Sequence, residues 1–275
     1  MRDPRFFACN GEVAASELRG IVEAKRFVDG EQGQFTGPFT PLTSLSGDET
    51  ATQALFGERF RILDDRGGRA FGQLSRDGYV GYAPSKFLGA VKSSTHRITV
   101  LSSHFYSAPD LRSPVRQGPT LGGELRAVAE RNGFLEVENQ GFIPSRQASE
   151  LIDRPTDYVS VAEKFAGAPY LWGGKTCFGI DCSGLVQLAM HETGLQCPRD
   201  SDLQEREFST RVAKCESGKR GDLAFWKGHV GIFLDTGTIL HATAHTMDVA
   251  VEPFARVRKR IDSLESHPFL GVRRI

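Results

Sequence analysis

Residues 169–194 read PYLWGGKTCFGIDCSGLVQLAMHETG. An aromatic pair and a glycine-rich loop lead into a run that has helical character, with Gly194 placed as the C′ residue that ends it. Cys182 opens that helix, and Asp181 before it is a natural cap. A thiol at a helix N-terminus feels the positive end of the dipole, so the reading expects a lowered pKa and a reactive thiolate. Cysteine nucleophiles also need an imidazole base from another element, oriented by a third polar group. Two histidines fit: His229 begins HVGIF and His241 lies in TILHATA. The Asp235-Thr236-Gly237 turn between them suits two neighbouring strands that set the imidazoles side by side.

Working outward, TDYVSVAEKFAGAP reads as a helix stopped by Gly167, and SDLQEREFS as another that Asp200 or Ser201 can cap. The segments DLAFWKG, HVGIFLD, TILHATA and HPFLGVRRI read as strands. Helices followed by antiparallel strands make an α+β domain, expected over 153–275. Upstream the pattern is β. ALFGERFRILDD alternates, Arg66-Gly67-Gly68 turns, and Asp77-Gly78 signals a hairpin. RILDDRGGRAFGQLSRDGYVGYAPS then aligns with RAVAERNGFLEVENQGFIPS, which suggests two copies of one small barrel at 38–92 and 93–152. Residues 1–37 are polar and Gly-rich, with an amphipathic stretch near Ala14–Phe27 and no assigned structure.

The chain has 275 residues, 39% hydrophobic and 25% charged, with 34 basic and 34 acidic side chains. That composition excludes a disordered or collagen-like chain and gives no overall basic field for nucleic acid or anionic lipid. No apolar run approaches the ~20 residues of a membrane span, and the start has no secretory h-region. Five sparse cysteines, Cys9, Cys177, Cys182, Cys197 and Cys215, fit reduced thiols in a cytoplasmic protein better than a disulfide scaffold or a zinc site. Cys177 reads as a bystander thiol. His191-Glu192 lacks the second histidine of a zinc protease motif, and the basic run Arg256–Arg260 reads as a solvated face.

DCSGLVQ, GHVGIF and ILHA, in this order and preceded by PYLWGG, resemble the NlpC/P60 cysteine peptidases over about 155–275. GYVGYAPS and GFIPS resemble bacterial SH3-type modules, although Arg69-Ala70-Phe71 and Phe134-Leu135 stand where such modules often carry Trp. The resemblance implies two small all-β SH3-like barrels followed by a papain-like α+β NlpC/P60 domain. Carried over to this sequence, it makes Cys182 the nucleophile, His229 the base and His241 the orienting residue, with the backbone near Cys182 contributing an oxyanion hole.

Two SH3-like modules before the peptidase domain, with PRDSDLQ at Pro198–Gln204, are similar to the YkfC-type γ-D-glutamyl-L-diamino acid endopeptidases. That resemblance implies hydrolysis of the bond between D-γ-glutamyl and meso-diaminopimelate or Lys in short murein peptides with a free N-terminal L-Ala. It places Asp181, Ser183, Asp200 and Ser201 around the substrate amine, completed by Tyr79 and Glu58 of the first barrel, with Tyr82 as the rival tyrosine. Tyr170 and Trp172 are expected in the pocket wall. The implied setting is cytoplasmic cell-wall peptide recycling by a monomer that uses no metal or cofactor. An amidase or acyltransferase on the same scaffold, or a non-catalytic peptide-binding module, are the alternatives.

Overall fold

The computed structural model describes residues 3–208, 210–211, 217–264 and 268–275. Cys215, Ser209 and His267, which enter the sequence readings above, lie outside the described residues. The chain divides into two compact units, Met1–Asp153 and Arg154–Ile275.

The first unit is β throughout. Its seven-stranded sheet runs, in spatial order, Thr50–Leu55, Phe39–Thr43, Val80–Pro84, Arg69–Leu74, Arg59–Arg66, Glu31–Phe35, Leu88–Gly89. Gly67 and Gly68, both at positive φ, make the tight turn between Arg59–Arg66 and Arg69–Leu74; positive φ at both central residues matches the strand twist and is cheap only for residues such as glycine. Phe35, Leu42, Phe60, Leu74 and Tyr79 fill the interior. The strand pairing is open: among the described residues no ladder joins the two outer strands, so the expected closed barrel is not formed. The sheet also takes in Glu31–Phe35, upstream of the boundary expected at 38. EQGQF is too polar to read as a strand, yet its Gly33, Gln34 and Phe35 are buried.

The N-terminal segment holds no α-helix across Ala14–Phe27. Val13–Ala15 pairs in parallel with Arg26–Val28 instead. Val13, Ala15 and Leu18 pack with Leu63, Phe71 and Val80 of the sheet.

The tail of the second repeat builds the same succession of elements as the first. Ala127–Arg131 and Phe134–Val137 form a hairpin over Asn132-Gly133, both at positive φ. Gly141–Pro144, a 3₁₀ turn at Ser145–Gln147 and the strand Ala148–Glu150 follow. The first repeat has Val80–Pro84, a 3₁₀ turn at Ser85–Phe87 and Leu88–Gly89 in those places. The two modules are fused. Phe56 leaves the first and enters the core of the second, its ring 5.6 Å from that of Phe105. Gly57 beside it has φ +82, and a Cβ there would lie 1.9 Å from the Glu124 carbonyl oxygen. Only glycine lets the two chains approach so closely.

The second unit carries a six-stranded antiparallel sheet in the order Thr210–Arg211, Phe269–Arg274, Leu223–Trp226, His229–Phe233, Thr238–Thr243, Asp248–Pro253. The helix Cys182–Glu192 packs on the strands His229–Phe233 and Thr238–Thr243. All eleven of its residues are buried, including the polar Ser183, Gln187, His191 and Glu192. It ends in a Schellman motif: Gly194 has φ +84, its N–H donates to the His191 carbonyl, and Leu195 N–H donates to the Met190 carbonyl. On the sheet, Ala224, Trp226, Phe233 and Ile239 bury the apolar face of the helix Phe254–Asp262 through Phe254 and Val257. The remaining helices are shorter than their sequence patterns: Tyr158–Glu163 and Ser201–Glu207. Among the described residues, no helix is long and apolar enough to cross a membrane.

Candidate active site

Cys182 is the first residue of its helix and is 8% exposed. Asp181 occupies the N-cap, and its Oδ1 accepts from the Gly184 N–H at 2.7 Å. The same carboxylate receives the Gly173 N–H at 2.8 Å and two bonds from Arg199, at 2.9 and 2.7 Å. Arg199 is 1% exposed, and it also donates to Ser183 Oγ at 3.0 Å and the Gly174 carbonyl at 3.3 Å. Gly184 permits this crowding: a Cβ there would sit 2.5 Å from the Gly174 oxygen. Gln204 adds a further tie, its amide donating to the carbonyls of Ser183 at 2.9 Å and Pro198 at 2.8 Å. The glycine loop, the cysteine and the PRDSDLQ segment are thus one hydrogen-bonded assembly around a buried ion pair.

This geometry changes the expected role of Asp181. A carboxylate offers about four lone-pair sites. Five donors already engage this one, counting Ser183 Oγ at 3.3 Å. Asp181 therefore fixes the loop and balances Arg199; no acceptor site is left on it for a substrate ammonium. Ser183 is likewise occupied and 6% exposed. Arg199 went without a role in the sequence reading. The signal was a lone arginine inside PRDSDLQ, among residues otherwise suited to capping and packing.

The thiol differs from its sequence expectation too. Burial pushes Cys182 up to about 12, and the neighbouring Asp181 charge adds to the rise. Opposing effects are smaller: the backbone N–H groups of Val230 and Ser183, at the sulfur, and the Arg199 charge favour the thiolate. Desolvation outweighs the helix dipole, whose partial charge is worth at most about 2 kcal/mol. Cys182 consequently rests as a thiol and needs a base. Tyr170, half-buried, senses the same place: burial, then the proximity of Cys182 and Asp181, holds its hydroxyl above the ordinary tyrosine range. Trp172 is 68% exposed.

The two histidines meet as their strands suggest. His229 Nε2 lies 2.8 Å from His241 Nδ1, with the rings edge to face at 5.0 Å between centroids. A Cβ on Gly231 would lie 3.1 Å from Ile239 Cδ1 and 3.4 Å from His241 Cβ. Trp226, opposite His229 in the ladder, packs on its ring. His241 is fully buried, and burial holds it below its usual pKa against the pull of Glu252. Its Nε2 lies 3.1 Å from Glu252 Oε2. Arg260 grips Glu252 with two bonds, 2.8 and 2.6 Å, and holds its carboxyl down to about 2. Neither Glu252 nor Arg260 was singled out from sequence, and Arg260 was assigned to a solvated face. The usable signal was helical spacing: Phe254, Val257 and Ile261 mark the buried side of that helix, and residue 260 borders it.

The other sequence candidates are placed as follows. Asp200 precedes the helix Ser201–Glu207 as its N-cap residue, without a side-chain cap bond, and Asp200 and Ser201 are both half-buried. In the first unit, Tyr79 is buried in the sheet core with its ring edge-on to Phe6. Glu58, 2% exposed, accepts from the Leu55 N–H at 3.0 Å and pairs with Arg76 at 3.4 Å. Tyr82 accepts from Asn10 and lies under the Arg69 guanidinium. Cys9, Cys177, Cys182 and Cys197 are outside any disulfide. Among the described residues no cluster of His, Cys, Asp or Glu could hold a metal ion.

A buried thiol beside a strand that presents an imidazole, backed by a second imidazole and an anchored carboxylate, can move a proton from sulfur and hold the resulting charge. Comparison with known proteins agrees. Residues 167–261 match the NlpC/P60 family, and residues 43–88 match the bacterial dipeptidyl-peptidase SH3 domain. A Bacillus cereus protein named gamma-D-glutamyl-L-lysine dipeptidyl-peptidase is 26% identical over 249 residues, covering 77% of this chain and 73% of its own. A Bacillus subtilis protein of the same name is 31% identical over 132 residues, 43% of this chain and 44% of that one. The crystal structure of an NlpC/P60 family protein from Bacillus cereus superposes with a TM-score of 0.73 at 20% identity, covering 89% of this chain and 99% of that one. A bacterial dipeptidyl-peptidase SH3 domain thus stands ahead of an NlpC/P60 domain, and together with the named relatives this marks the chain as a peptidase.

Proposed function

We propose that this peptidase hydrolyses the bond between D-γ-glutamate and a diamino acid, meso-diaminopimelate or Lys, in short murein peptides with a free N-terminal L-Ala. We place it in the cytoplasm, in cell-wall peptide recycling, acting as a monomer without metal or cofactor. The observation that carries the reading is the His229–His241 contact on the strand whose next residue, Val230, donates to the Cys182 sulfur, set in a domain whose relatives are named for γ-D-glutamyl-L-lysine cleavage.

In this reading His229 takes the Cys182 proton as the sulfur attacks the γ-glutamyl carbonyl. The Ser183 N–H, beside the sulfur, is among the backbone donors that steady the oxyanion. The protonated imidazole then gives its proton to the leaving amine of the diamino acid, and water, deprotonated by the same imidazole, splits the thioester. With Asp181 and Ser183 engaged by Arg199, we assign the substrate's ammonium group to Asp200 and Ser201, and one wall of the cleft to Tyr170. We also read the second β module as an SH3-like domain; the shared hairpin, strand, 3₁₀ turn and strand support that reading.

The test is hydrolysis of L-Ala-γ-D-Glu-meso-diaminopimelate and its L-Lys counterpart, each with a free and an N-acetylated amine. Release of the diamino acid from the free-amine peptides alone supports the assignment. Equal cleavage of the acetylated peptides removes the amine pocket. No cleavage by folded protein moves the weight to an amidase or acyltransferase.

A further inference from the structure

We infer that Glu252 is a positioning residue that sets the direction of the hydrogen-bond relay ending at Cys182, an inference that rests on the catalytic assignment above. The direction follows from donor and acceptor counting. The carboxylate of Glu252 receives two bonds from Arg260, at 2.8 and 2.6 Å, and an ionised carboxylate can only accept. Its contact with His241 at 3.1 Å therefore requires a proton on His241 Nε2. His241 is fully buried and kept neutral, so its Nδ1 carries a lone pair. The 2.8 Å contact from that Nδ1 to His229 Nε2 then requires a proton on His229 Nε2. With Nε2 protonated, a neutral His229 carries its lone pair on Nδ1, the nitrogen to which the catalytic assignment gives the thiol proton. Every link runs toward Glu252, and Glu252 stays ionised throughout.

Without the carboxylate the two imidazoles can pair in the opposite sense. That state puts a proton on His229 Nδ1 and leaves no base for the thiol. Arg260 matters because it keeps Glu252 an acceptor and fixes which oxygen faces His241. Strand geometry supplies the rest. Ile239 stands opposite Glu252, and His241 opposite Ala250, so Glu252 and His241 share one face of the sheet, the face covered by the helix that carries Arg260.

The test uses the full chain, with ¹⁵N-labelled histidine, and the variant Glu252→Leu. Leucine removes the acceptor, so nothing holds the proton on His241 Nε2 and the reversed sense of the relay becomes available. The ring-nitrogen shifts should report Nε2–H for both His229 and His241 in the wild type, and Nδ1–H signals should appear for both in the variant. On the γ-D-glutamyl peptide, kcat should fall about a hundred- to ten-thousand-fold with KM within about threefold, as expected for an array left in the wrong tautomer. Glu252→Asp, which keeps an acceptor, should restore the wild-type tautomers. The wild-type spectrum needs no variant: Nδ1–H on either histidine overturns the inference. So does a folded Glu252→Leu protein with wild-type tautomers or kcat. If the wild type cleaves no γ-D-glutamyl peptide, the function reading fails, and the tautomers still decide the relay.

Discussion

Replacing Arg199 by Met removes every donor from the buried ion pair while keeping much of the side chain's volume. In the wild type the guanidinium is 1% exposed and reaches both oxygens of Asp181, the Ser183 hydroxyl and the Gly174 carbonyl. The variant leaves the Asp181 anion buried with amide and hydroxyl donors only. Losing one member of a buried pair costs about 3–5 kcal/mol. For a unit of about 120 residues, an unfolding entropy of about 2.1 cal/mol/K per residue turns that loss into a drop in melting temperature of about 12–20 °C. Tryptophan fluorescence isolates the event, because both tryptophans, Trp172 and Trp226, belong to the second unit and Trp226 is 1% exposed. Asp181→Asn on the Arg199→Met background keeps an acceptor for the Gly184 N–H and removes the orphaned charge, so the double variant should melt above Arg199→Met alone. A drop under about 4 °C for Arg199→Met, or two losses that simply add, refutes the reasoning.

Three further outcomes follow from the same structure. Gly57→Ala should destabilise the first unit by about 2–4 kcal/mol, from positive φ plus overlap with the Glu124 carbonyl, whereas Gly67→Ala, with φ +61 and open space, should cost about 1 kcal/mol; urea unfolding of the two variants compares them. Glu252 sits at about 2 when folded against 4.5 unfolded, and His241 is also lowered, so both stabilise the fold above their unfolded values. Stability of the second unit should fall as pH drops below about 6.5, and by about 2–3 kcal/mol more between about 4.5 and 2, with the acid limb flattened in Glu252→Gln; urea midpoints followed by Trp226 fluorescence give the profile. Because burial holds Cys182 up to about 12, the difference in 240 nm absorbance between wild type and Cys182→Ala should show no thiolate between about pH 6 and 9. A thiolate signal in that window would mean that a thiolate–imidazolium pair forms without substrate.

Much of the site was legible because the chemistry fixes its own spacing. A cysteine after a glycine loop at a helix start, and two histidines on neighbouring strands, are written locally, and the ladder brings His229 and His241 to 2.8 Å as that spacing requires. Gly194, Gly67 and Gly68 likewise announce their turns, since positive φ leaves few other residues. What was hidden depends on tertiary burial. The dipole argument for Cys182 is local and correct in sign, but desolvation by the surrounding unit is larger and invisible in a string of letters. Asp181 reads equally well as a cap or a binder until Arg199, eighteen residues on, is seen to fill its lone pairs. Glu252 and Arg260 lie in segments that look like an exposed strand edge and a basic helix; only the face shared with His241 gives them a role. In the first unit EQGQF escaped notice because it is polar, although only two of its five residues are exposed.

The central claim is that Cys182 and the His229–His241 pair cut γ-D-glutamyl–diamino acid bonds. Its most direct test is incubation of L-Ala-γ-D-Glu-meso-diaminopimelate with the wild type and with Cys182→Ala, read by mass spectrometry. Release of free diaminopimelate and the dipeptide L-Ala-D-Glu by the wild type, and none by Cys182→Ala, is the result the account predicts. Equal release by both proteins, or none by a folded wild type, contradicts it.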